Sequence, residues 1–284
     1  MDLVGRVPHL PIAGETVLGT AFSRHHGGKG GNQAVAAARL GAPVCFFGAV
    51  GHDPFGDELV MGLADEGVDV RQVLRVSAPS GCALISVDSH GGNAISVLPG
   101  ANLQAPPPPA AWPPGVRWLL LQLEVPVPTT LAWARAARAA GTQVLLNAAP
   151  MMALPPELLT LVDTLIVNQI ELKTLVGVHD DVSAALHAAA ALGPRQVVAT
   201  LGAQGCLAWD GEALHREPAR AVWMVDSTGA GDTFAGALAC GLWEGRGFGD
   251  ALMRANVAAA LSCTRAGARG GMPTRAELEQ TLSE

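Results

Sequence analysis

The sequence predicts an α/β fold: a doubly wound, mostly parallel β-sheet flanked by helices. Short apolar runs of strand length recur along the chain without polar alternation, which is typical of strands buried on both faces. Alanine-rich segments of helical length lie between most of these runs, and such alternation favours a parallel sheet. The chain has 284 residues, of which 49% are hydrophobic and 15% charged, so it can bury a large core.

The regular elements alternate from residue 32 onward. Strands are predicted at 44–50, 116–123, 143–147, 164–168 and 196–201. Helices are predicted at 32–40, near 56–66, and at 129–140, 181–192 and 232–244.

Two segments, 3–26 and 78–98, interrupt this alternation. They contain glycine, proline and alternating polar and apolar residues, which predicts antiparallel strands and hairpins in a small sheet that covers a site. We therefore expect a single domain over 1–284 with these two segments inserted. A doubly wound sheet normally begins with a central apolar strand, and the expected first strand is missing before residue 3.

Charge and cysteine content exclude several classes of protein. The formal net charge of −7 argues against a nucleic-acid-binding protein, which normally has a basic surface. Five widely spaced cysteines argue against a disulfide framework or a zinc site and favour a reducing cytosol. The sequence has no apolar run of membrane-spanning length and no apolar stretch typical of a signal peptide.

The segment 226–232 (DSTGAGD) is the strongest candidate for chemistry. A glycine-rich turn leads directly into a predicted helix, whose free N–H groups and dipole can bind an anion. Asp232 stands at or beside the start of that helix. It could cap the helix, or it could accept a proton from an attacking hydroxyl. No Gly-Lys-Ser/Thr follows, so the segment is not a Walker A loop.

Two further glycine-containing turns each allow a structural and a functional interpretation. The segment 27–33 (GGKGGNQ) could be a flexible turn capped by Asn32, or a loop whose backbone approaches a polar ligand with Asn32 as a hydrogen-bonding residue. The segment 200–205 (TLGAQG) could be an ordinary hairpin or could contact a nucleotide.

Polar residues end or directly follow three of the predicted strands. They are Glu124, Asn147, and Asn168 with Glu171 three residues later. Ligands of open parallel sheets bind beyond the carboxyl ends of the strands, so these residues could line a crevice. The spacing of Asn168 and Glu171 also fits a helix cap.

The segments 27–37 (GGKGGNQAVAA) and 226–234 (DSTGAGDTF) resemble the N-terminal and C-terminal signatures of the ribokinase-like (PfkB) carbohydrate kinases. The two signatures stand in the family's order, and the resemblance covers nearly the whole chain. It is greatest to the members that phosphorylate ribose. It implies transfer of a phosphoryl group from ATP to the primary hydroxyl of a small sugar, with D-ribose converted to D-ribose 5-phosphate.

The resemblance also implies a role for each matching residue. Asp232 is the expected base, and the backbone N–H groups of Gly229, Ala230 and Gly231 form the anion hole. The expected sugar-binding residues are Asp2, Gly28, Lys29, Asn32, Glu124 and Asp232. The expected nucleotide-binding residues are Asn168, Glu171, Thr200, Gly202, Gly205 and Asn256. A monovalent cation, K⁺, is expected at Asp226, Thr228, Ser262, Arg265, Gly267 and Gly271, and Mg²⁺ near Glu171 through water.

In this family the small sheet is a lid through which two chains pair, so the resemblance implies a homodimer. Family members usually have about ten more residues before the position of Asp2, which end in an Asn-x-Asp element. We therefore expect the natural product to begin about 10 to 15 residues upstream, unless the chain is a true truncation.

Three other functions stay open on the sequence alone. The substrate could be deoxyribose, fructose or a nucleoside. The missing strand leaves room for a truncated, non-catalytic sugar-binding or regulatory protein. A dinucleotide-dependent oxidoreductase is a weaker alternative, because it predicts a GxGxxG fingerprint after the first strand and the sequence has none.

Overall fold

A computed structural model describes residues 1–179 and 181–284 and confirms the α/β fold. Its largest sheet has six strands, which are β7 (Trp118–Leu121), β8 (Gln143–Asn147), β9 (Thr164–Asn168), β10 (Gln196–Thr200), β11 (Cys206–Trp209) and β12 (Leu214–Glu217). They lie in the order β12-β11-β10-β9-β8-β7. The four strands β7 to β10 are parallel, and β11 and β12 continue the sheet antiparallel. The strands predicted at 143–147 and 164–168 are confirmed to the residue.

Two smaller sheets contain the remaining strands, which are β1 (Asp2–Arg6), β2 (Ala21–His25), β3 (Cys45–Gly51), β4 (Asp69–Val76), β5 (Cys82–Val87) and β6 (Asn93–Leu98). The first has the order β2-β1-β5-β6, and the second is the parallel pair of β3 and β4. The expectation of antiparallel pairing holds for β1 with β2 and for β5 with β6, but it is wrong for β1 with β5, which are parallel.

Ten α-helices lie within the described residues. They are α1 (Lys29–Arg39), α2 (Pro54–Ala64), α3 (Val127–Ala139), α4 (Pro156–Thr160), α5 (Gln169–Val176), α6 (Val182–Ala190), α7 (Ala230–Trp243), α8 (Phe248–Ser262), α9 (Ala268–Gly271) and α10 (Arg275–Ser283). Each of the five predicted helices is present with ends shifted by at most three residues. Within the described residues, every helix is too short or too polar to span a lipid bilayer.

The central strands β8, β9 and β10 are buried on both faces, as their apolar residues predict. Along β8, Val144 and Leu146 pack into one hydrophobic cluster together with residues of α3, α5 and α6. The intervening Leu145 points to the other face and packs with Phe234 and Leu238 of α7. Alternate residues of a strand point to opposite faces, so a continuous apolar run supplies both layers of the core.

A cavity of about 470 Å³ separates the β3–β4 pair from the six-stranded sheet. Residues 42–50, which include β3, line one side, and residues 116–122, which include β7, line the other. No strand of the described residues lies between β3 and β7.

The helices α1 and α7 pack closely at Gly236. A Cβ atom at this position would lie 2.5 Å from the carbonyl oxygen of Gln33 and 2.7 Å from the Cβ of Ala36. Only glycine allows the two helix backbones to approach this closely. This contact brings the first turn of α1 beside the first turn of α7, where the candidate site lies.

Candidate active site

Asp232 lies in the first turn of α7 and is only 7% exposed. Its Oδ2 accepts a hydrogen bond from Nδ2 of Asn32 (3.0 Å), and its Oδ1 accepts one from Nε2 of Gln33 (3.1 Å). Because the N-cap of α7 is Gly229 and no side chain caps it, the alternative that Asp232 caps the helix is wrong. The carboxylate is instead held by hydrogen bonds from side chains of α1.

The turn before α7 presents backbone N–H groups. Gly229 has a positive φ of 77° and starts the helix, and the first N–H groups of a helix have no partner within it. The Ala230 N–H donates to the carbonyl of Ser227 (3.2 Å). The N–H groups of Gly229 and Gly231 are therefore the better anion donors of the three predicted ones.

The glycine-rich segment at 27–33 is already helical from Lys29, with Gly28 at the N-cap and a φ of 84°. Asn32 therefore lies inside α1, and the alternative that it caps the helix is wrong. The backbone N–H of Lys29 donates to Oε2 of Glu124 at 2.7 Å. A Cβ at Gly27 would lie only 2.1 Å from Oδ1 of Asp2, so the glycine lets this carboxylate approach the loop.

Three carboxylates thus converge at one end of α1: Asp2, Glu124 and Asp232. Burial raises the pKa of Asp2 and of Glu124 above their ordinary ranges, and the nearby charge of Asp232 adds in the same direction. The Lys29 N–H partly offsets the shift at Glu124. Such a cluster of hydrogen-bond acceptors suits a polyhydroxylated, uncharged ligand.

Three residues of the site were given no role by the sequence analysis. Gln33 is fully buried, donates to Asn147 Oδ1 (2.9 Å) as well as to Asp232, and accepts from Gln122 Nε2 (2.6 Å). Arg269 donates from Nε to Asn32 Oδ1 (3.1 Å). Burial lowers the pKa of Arg269 to about 10, so it is a cation at neutral pH. Gln33 is part of the signature segment, whereas no pattern in the sequence marks Gln122 or Arg269.

Asp226 joins the turn before α7 to the turn before α9. Its Oδ1 accepts from the N–H (2.9 Å) and Oγ1 (2.6 Å) of Thr228, and its Oδ2 accepts from the N–H of Gly267 (2.8 Å). Burial alone would raise the pKa of Asp226, but these hydrogen bonds outweigh burial and lower it.

The other residues predicted for the monovalent cation lie on the second of these turns or beside it. Ser262 ends α8, and a Cβ at Gly271 would lie 2.0 Å from the Ser262 carbonyl oxygen, so the two backbones are in close contact. The side chain of Arg265 points away toward Glu277, which leaves its backbone as the only part available to this site. Among the described residues, no group of three or more His, Cys, Asp or Glu side chains could hold a metal ion.

Asn168 and Glu171 form a capping box at the start of α5. The N–H of Glu171 donates to Asn168 Oδ1 (2.8 Å), and the N–H of Asn168 donates to Glu171 Oε2 (2.7 Å), so the helix-cap reading of this pair is confirmed. Burial raises the pKa of Glu171. Asn168 is exposed at the carboxyl end of β9, beside Thr200 of β10, which is half-buried and donates from Oγ1 to the carbonyl of Val167 (3.5 Å).

The remaining predicted nucleotide residues follow β10 or lie on α8. Gly202 is exposed in a short 3₁₀ helix (Gly202–Gln204), and a Cβ at Gly205 would lie 2.0 Å from the carbonyl oxygen of Glu217. Nδ2 of Asn256 donates to the carbonyl of Pro218 (2.7 Å). Gly205 and Asn256 thus fix the segment that follows β12 against β11 and α8.

Comparison with known proteins shows to which family this chain belongs. The sequence profile of the pfkB family carbohydrate kinases matches residues 1–275. The chain belongs to this family. The kinase is 40% identical over 288 residues to a ribokinase from Bacillus subtilis (strain 168), with 100% of this chain and 96% of the relative covered. It is 38% identical over 289 residues to a ribokinase from Lactococcus lactis, covering 100% and 94%.

A solved structure of Arabidopsis thaliana ribokinase in complex with ribose and ATP superimposes on this kinase with a TM-score of 0.91. The two sequences are 33% identical, and the match covers 100% of this chain and 96% of the other. The comparisons thus support the kinase reading over the oxidoreductase alternative.

Proposed function

We propose that this kinase transfers the γ-phosphoryl group of ATP to the primary hydroxyl of D-ribose and releases D-ribose 5-phosphate and ADP. The observation that carries the proposal is the Asp232 carboxylate, which two amide side chains hold at the glycine-rich start of α7. The relatives described above are named ribokinases, and the Arabidopsis structure contains ribose and ATP.

In the proposed reaction, Asp232 accepts the proton of the primary hydroxyl. The hydroxyl oxygen forms a bond to the γ-phosphorus, and the bond from that phosphorus to the β,γ-bridging oxygen breaks, so that ADP leaves with the electron pair. The N–H groups at the start of α7, chiefly those of Gly229 and Gly231, stabilise the negative charge on the transferring group. Ala230 contributes once its N–H releases Ser227.

The sugar hydroxyls would be held by the acceptors and donors around the start of α1. Asp2 and Glu124 accept from hydroxyls, Asn32 offers its amide, and Gly28 and Lys29 contribute backbone groups. The Lys29 N–H fixes the Glu124 carboxylate through one of its oxygens. The other oxygen can therefore accept from a sugar hydroxyl with little further ordering of the side chain.

The nucleotide would lie along the carboxyl ends of β9 and β10, near Asn168, Thr200 and Gly202, with Gly205 and Asn256 supporting that surface. Mg²⁺ would be held mainly by phosphate oxygens and by Glu171 through water, because no described side-chain cluster could hold it alone. When bound, it neutralises phosphate charge.

The oxygen donors of the two turns joined by Asp226 fit a hard monovalent cation such as K⁺. We assign this place to Asp226, Thr228 and Ser262 together with backbone carbonyls of Arg265, Gly267 and Gly271. The fit rests on Asp226, whose two carboxylate oxygens already bring both turns together. A cation bound there would fix the shape of the turn that precedes α7.

We also propose that residues 1–284 form one domain in which segments 3–26 and 78–98 act as a lid. Two such lids would pair in a homodimer. Ile95 and Val97 support this pairing, because they lie on the same face of β6 and are 56% and 65% exposed. A cytosolic location remains a prediction from the cysteine content.

An ADP-release assay across a panel of ribose, deoxyribose, fructose and nucleosides tests the proposed function. We expect the highest kcat/KM with D-ribose and formation of the 5-phosphate. Turnover of another sugar without ribose turnover would reject the substrate. Calorimetric binding of sugar with no turnover of any member would favour the non-catalytic alternative.

Glu124→Gln is expected to weaken sugar binding and to stabilise the fold. The raised pKa of Glu124 means that the ionised carboxylate is less stable in the folded chain than in the unfolded one. The folded chain therefore gains stability as the pH falls through this raised pKa, and a neutral glutamine gives the same gain at pH 8. The KM for the sugar should rise about 10- to 100-fold, since a charge-assisted hydrogen bond is lost.

Urea unfolding at pH 8 and at pH 4, with sugar kinetics at pH 8, measures both effects of Glu124→Gln. The stability difference from the parent chain should shrink at the lower pH. Glu212→Gln, at an exposed loop position, is the matched control and should change neither quantity. An unchanged KM in Glu124→Gln would remove this residue from the sugar site.

A further inference from the structure

Arg269 is a buried cation outside the set of residues that the sequence assigns to catalysis. The Arg269 side chain lies against α1. A Cβ built on Gly31 of that helix would lie 2.7 Å from Nη2 of Arg269. The residue is 8% exposed, and its Nη1 has no hydrogen-bond partner among the described residues. A buried guanidinium that is incompletely paired is costly, so its place in the fold calls for a specific reason.

Arg39 shows how a purely structural arginine is paired in the same region. Its guanidinium binds both carboxylate oxygens of Glu66 (2.8 and 2.5 Å), and its Nη1 also donates to the backbone carbonyls of Arg269 and Met272. Arg269 instead directs Nε to the Oδ1 of Asn32 at 3.1 Å.

The hydrogen bond from Arg269 determines which way the Asn32 amide faces. A guanidinium can only donate hydrogen bonds, so the atom of Asn32 that faces it must be the oxygen. The amide nitrogen then faces Asp232, whose ionised carboxylate can only accept. Each donor in this row of three groups therefore faces an acceptor in only one orientation of the Asn32 amide.

Charges of both signs act on the carboxylate cluster that contains Asp232. Asp2 and Glu124 are the acidic groups, and the groups that favour the charged form of Asp2 are the N-terminal ammonium, His25 when protonated, and Arg269, which is buried on the far side of Asn32. The lysine of the loop, Lys29, acts on Glu124. Arg269 thus offsets part of the repulsion between the three carboxylates.

We propose that Arg269 is a positioning residue, which orients the Asn32 amide and thereby holds the Asp232 carboxylate in place for proton transfer. This inference rests on the proposed function, because it assigns to Asp232 the role of base. Arg269 acts through Asn32 and does not touch the sugar.

A double-mutant cycle between Arg269 and Asn32 tests the proposal. The variants are Arg269→Met, Asn32→Ala and the combination, with kcat/KM for ribose as the readout. In the parent background, Arg269→Met should lower kcat/KM about tenfold or more, with the loss in kcat and the KM for ATP unchanged. In the Asn32→Ala background, the same substitution should change kcat/KM by less than about twofold, since the residue it acts through is gone.

Equal losses in the two backgrounds would show a structural role and overturn the proposal, as would no loss in the parent background. Arg39→Gln is the matched control. It removes an arginine that binds the same backbone segment, so it should lower stability and show the same small effect on kcat/KM in both backgrounds. Arg269→Gln replaces Arg269→Met if the latter fails to fold, and Arg269→Lys should recover part of the activity by donating to Asn32.

Turnover by the unaltered chain tests the proposed function separately. If that chain phosphorylates no sugar, the proposed function fails. The same four proteins are then compared by calorimetric binding of ribose, where a loss that disappears in the Asn32→Ala background supports the orienting role of Arg269. A loss equal in both backgrounds, or no loss in the parent, rejects it.

Discussion

Replacement of Asp232 by asparagine is expected to lower kcat about a thousandfold or more. Asp232→Asn keeps the size of the side chain but removes the proton acceptor, and a general base contributes roughly 10²- to 10⁴-fold to a rate. Asparagine has one acceptor oxygen instead of two, so it can keep the bond from either Asn32 or Gln33 but not both. One buried amide donor thus loses its partner, and the free energy of unfolding should fall by about 1–3 kcal/mol.

Asp250 offers a matched control for this substitution. It occupies the first turn of α8, the helix that follows α7, but it is exposed and pairs with Arg246 at 3.0 Å. Asp250→Asn should keep kcat within about twofold of the parent, because an exposed ion pair contributes little. If Asp232→Asn retained more than a tenth of the parent kcat while Asp250→Asn behaved as expected, another group would have to take the proton.

The strands of the central sheet could be predicted from the sequence because the apolar pattern of each strand lies within a few consecutive residues. At β8 (QVLLN) and β9 (TLIVN), three consecutive apolar residues are all buried, which gives an unambiguous run. Strand β4 (DVRQVLRV) was not predicted, since it pairs only with β3 and mixes arginines with exposed apolar residues. Its position depends on a partner strand rather than on its own pattern.

The start of α1 shows how tertiary contacts override local propensity. Glycines are poor helix formers, so the sequence predicts that the helix starts after them, at residue 32. The observed helix begins at Lys29 and includes Gly30 and Gly31. A Cβ at these two positions would lie 3.0 Å from Oε1 of Gln122 and 2.7 Å from Nη2 of Arg269, so the glycines leave room for these two side chains beside the helix.

The site itself was only partly predictable. The two signature segments placed Asn32 and Asp232 in the site, and a direct hydrogen bond now joins them although 200 residues separate them in the chain. Gln122 and Arg269 reach the same network over separations of 89 and 237 residues. No local pattern encodes such contacts, because they arise only when the sheet brings separate turns together.

Gly229→Ala is expected to damage both the fold and the reaction, because this glycine is constrained in two independent ways. Its φ of 77° lies in the left-handed region, which costs an L-residue about 1–2 kcal/mol. A Cβ there would also lie 2.8 Å from the Cβ of Ala268, and overpacking of this kind costs about 1–3 kcal/mol. The free energy of unfolding should fall by about 2–5 kcal/mol.

The effect of Gly229→Ala on kcat should be at least about 100-fold, since relief of the overlap moves the N–H groups at the start of α7 away from the phosphoryl group. Gly247→Ala provides the matched control. Gly247 is the N-cap of α8, but its φ is −59° and no atom lies within 4 Å of an added Cβ, so both quantities should stay close to those of the parent chain.

Gly229→Asn separates the two causes of damage at this position. Asparagine tolerates the left-handed region better than alanine but still carries the Cβ that meets Ala268. If backbone strain dominates, urea unfolding should place Gly229→Asn between the parent chain and Gly229→Ala. If the overlap with Ala268 dominates, the two variants should be equally unstable and equally slow. Parent-like stability and kcat in both variants would show that the turn does not need the conformation that only glycine adopts freely, and the assignment of these N–H groups to the anion hole would then fail.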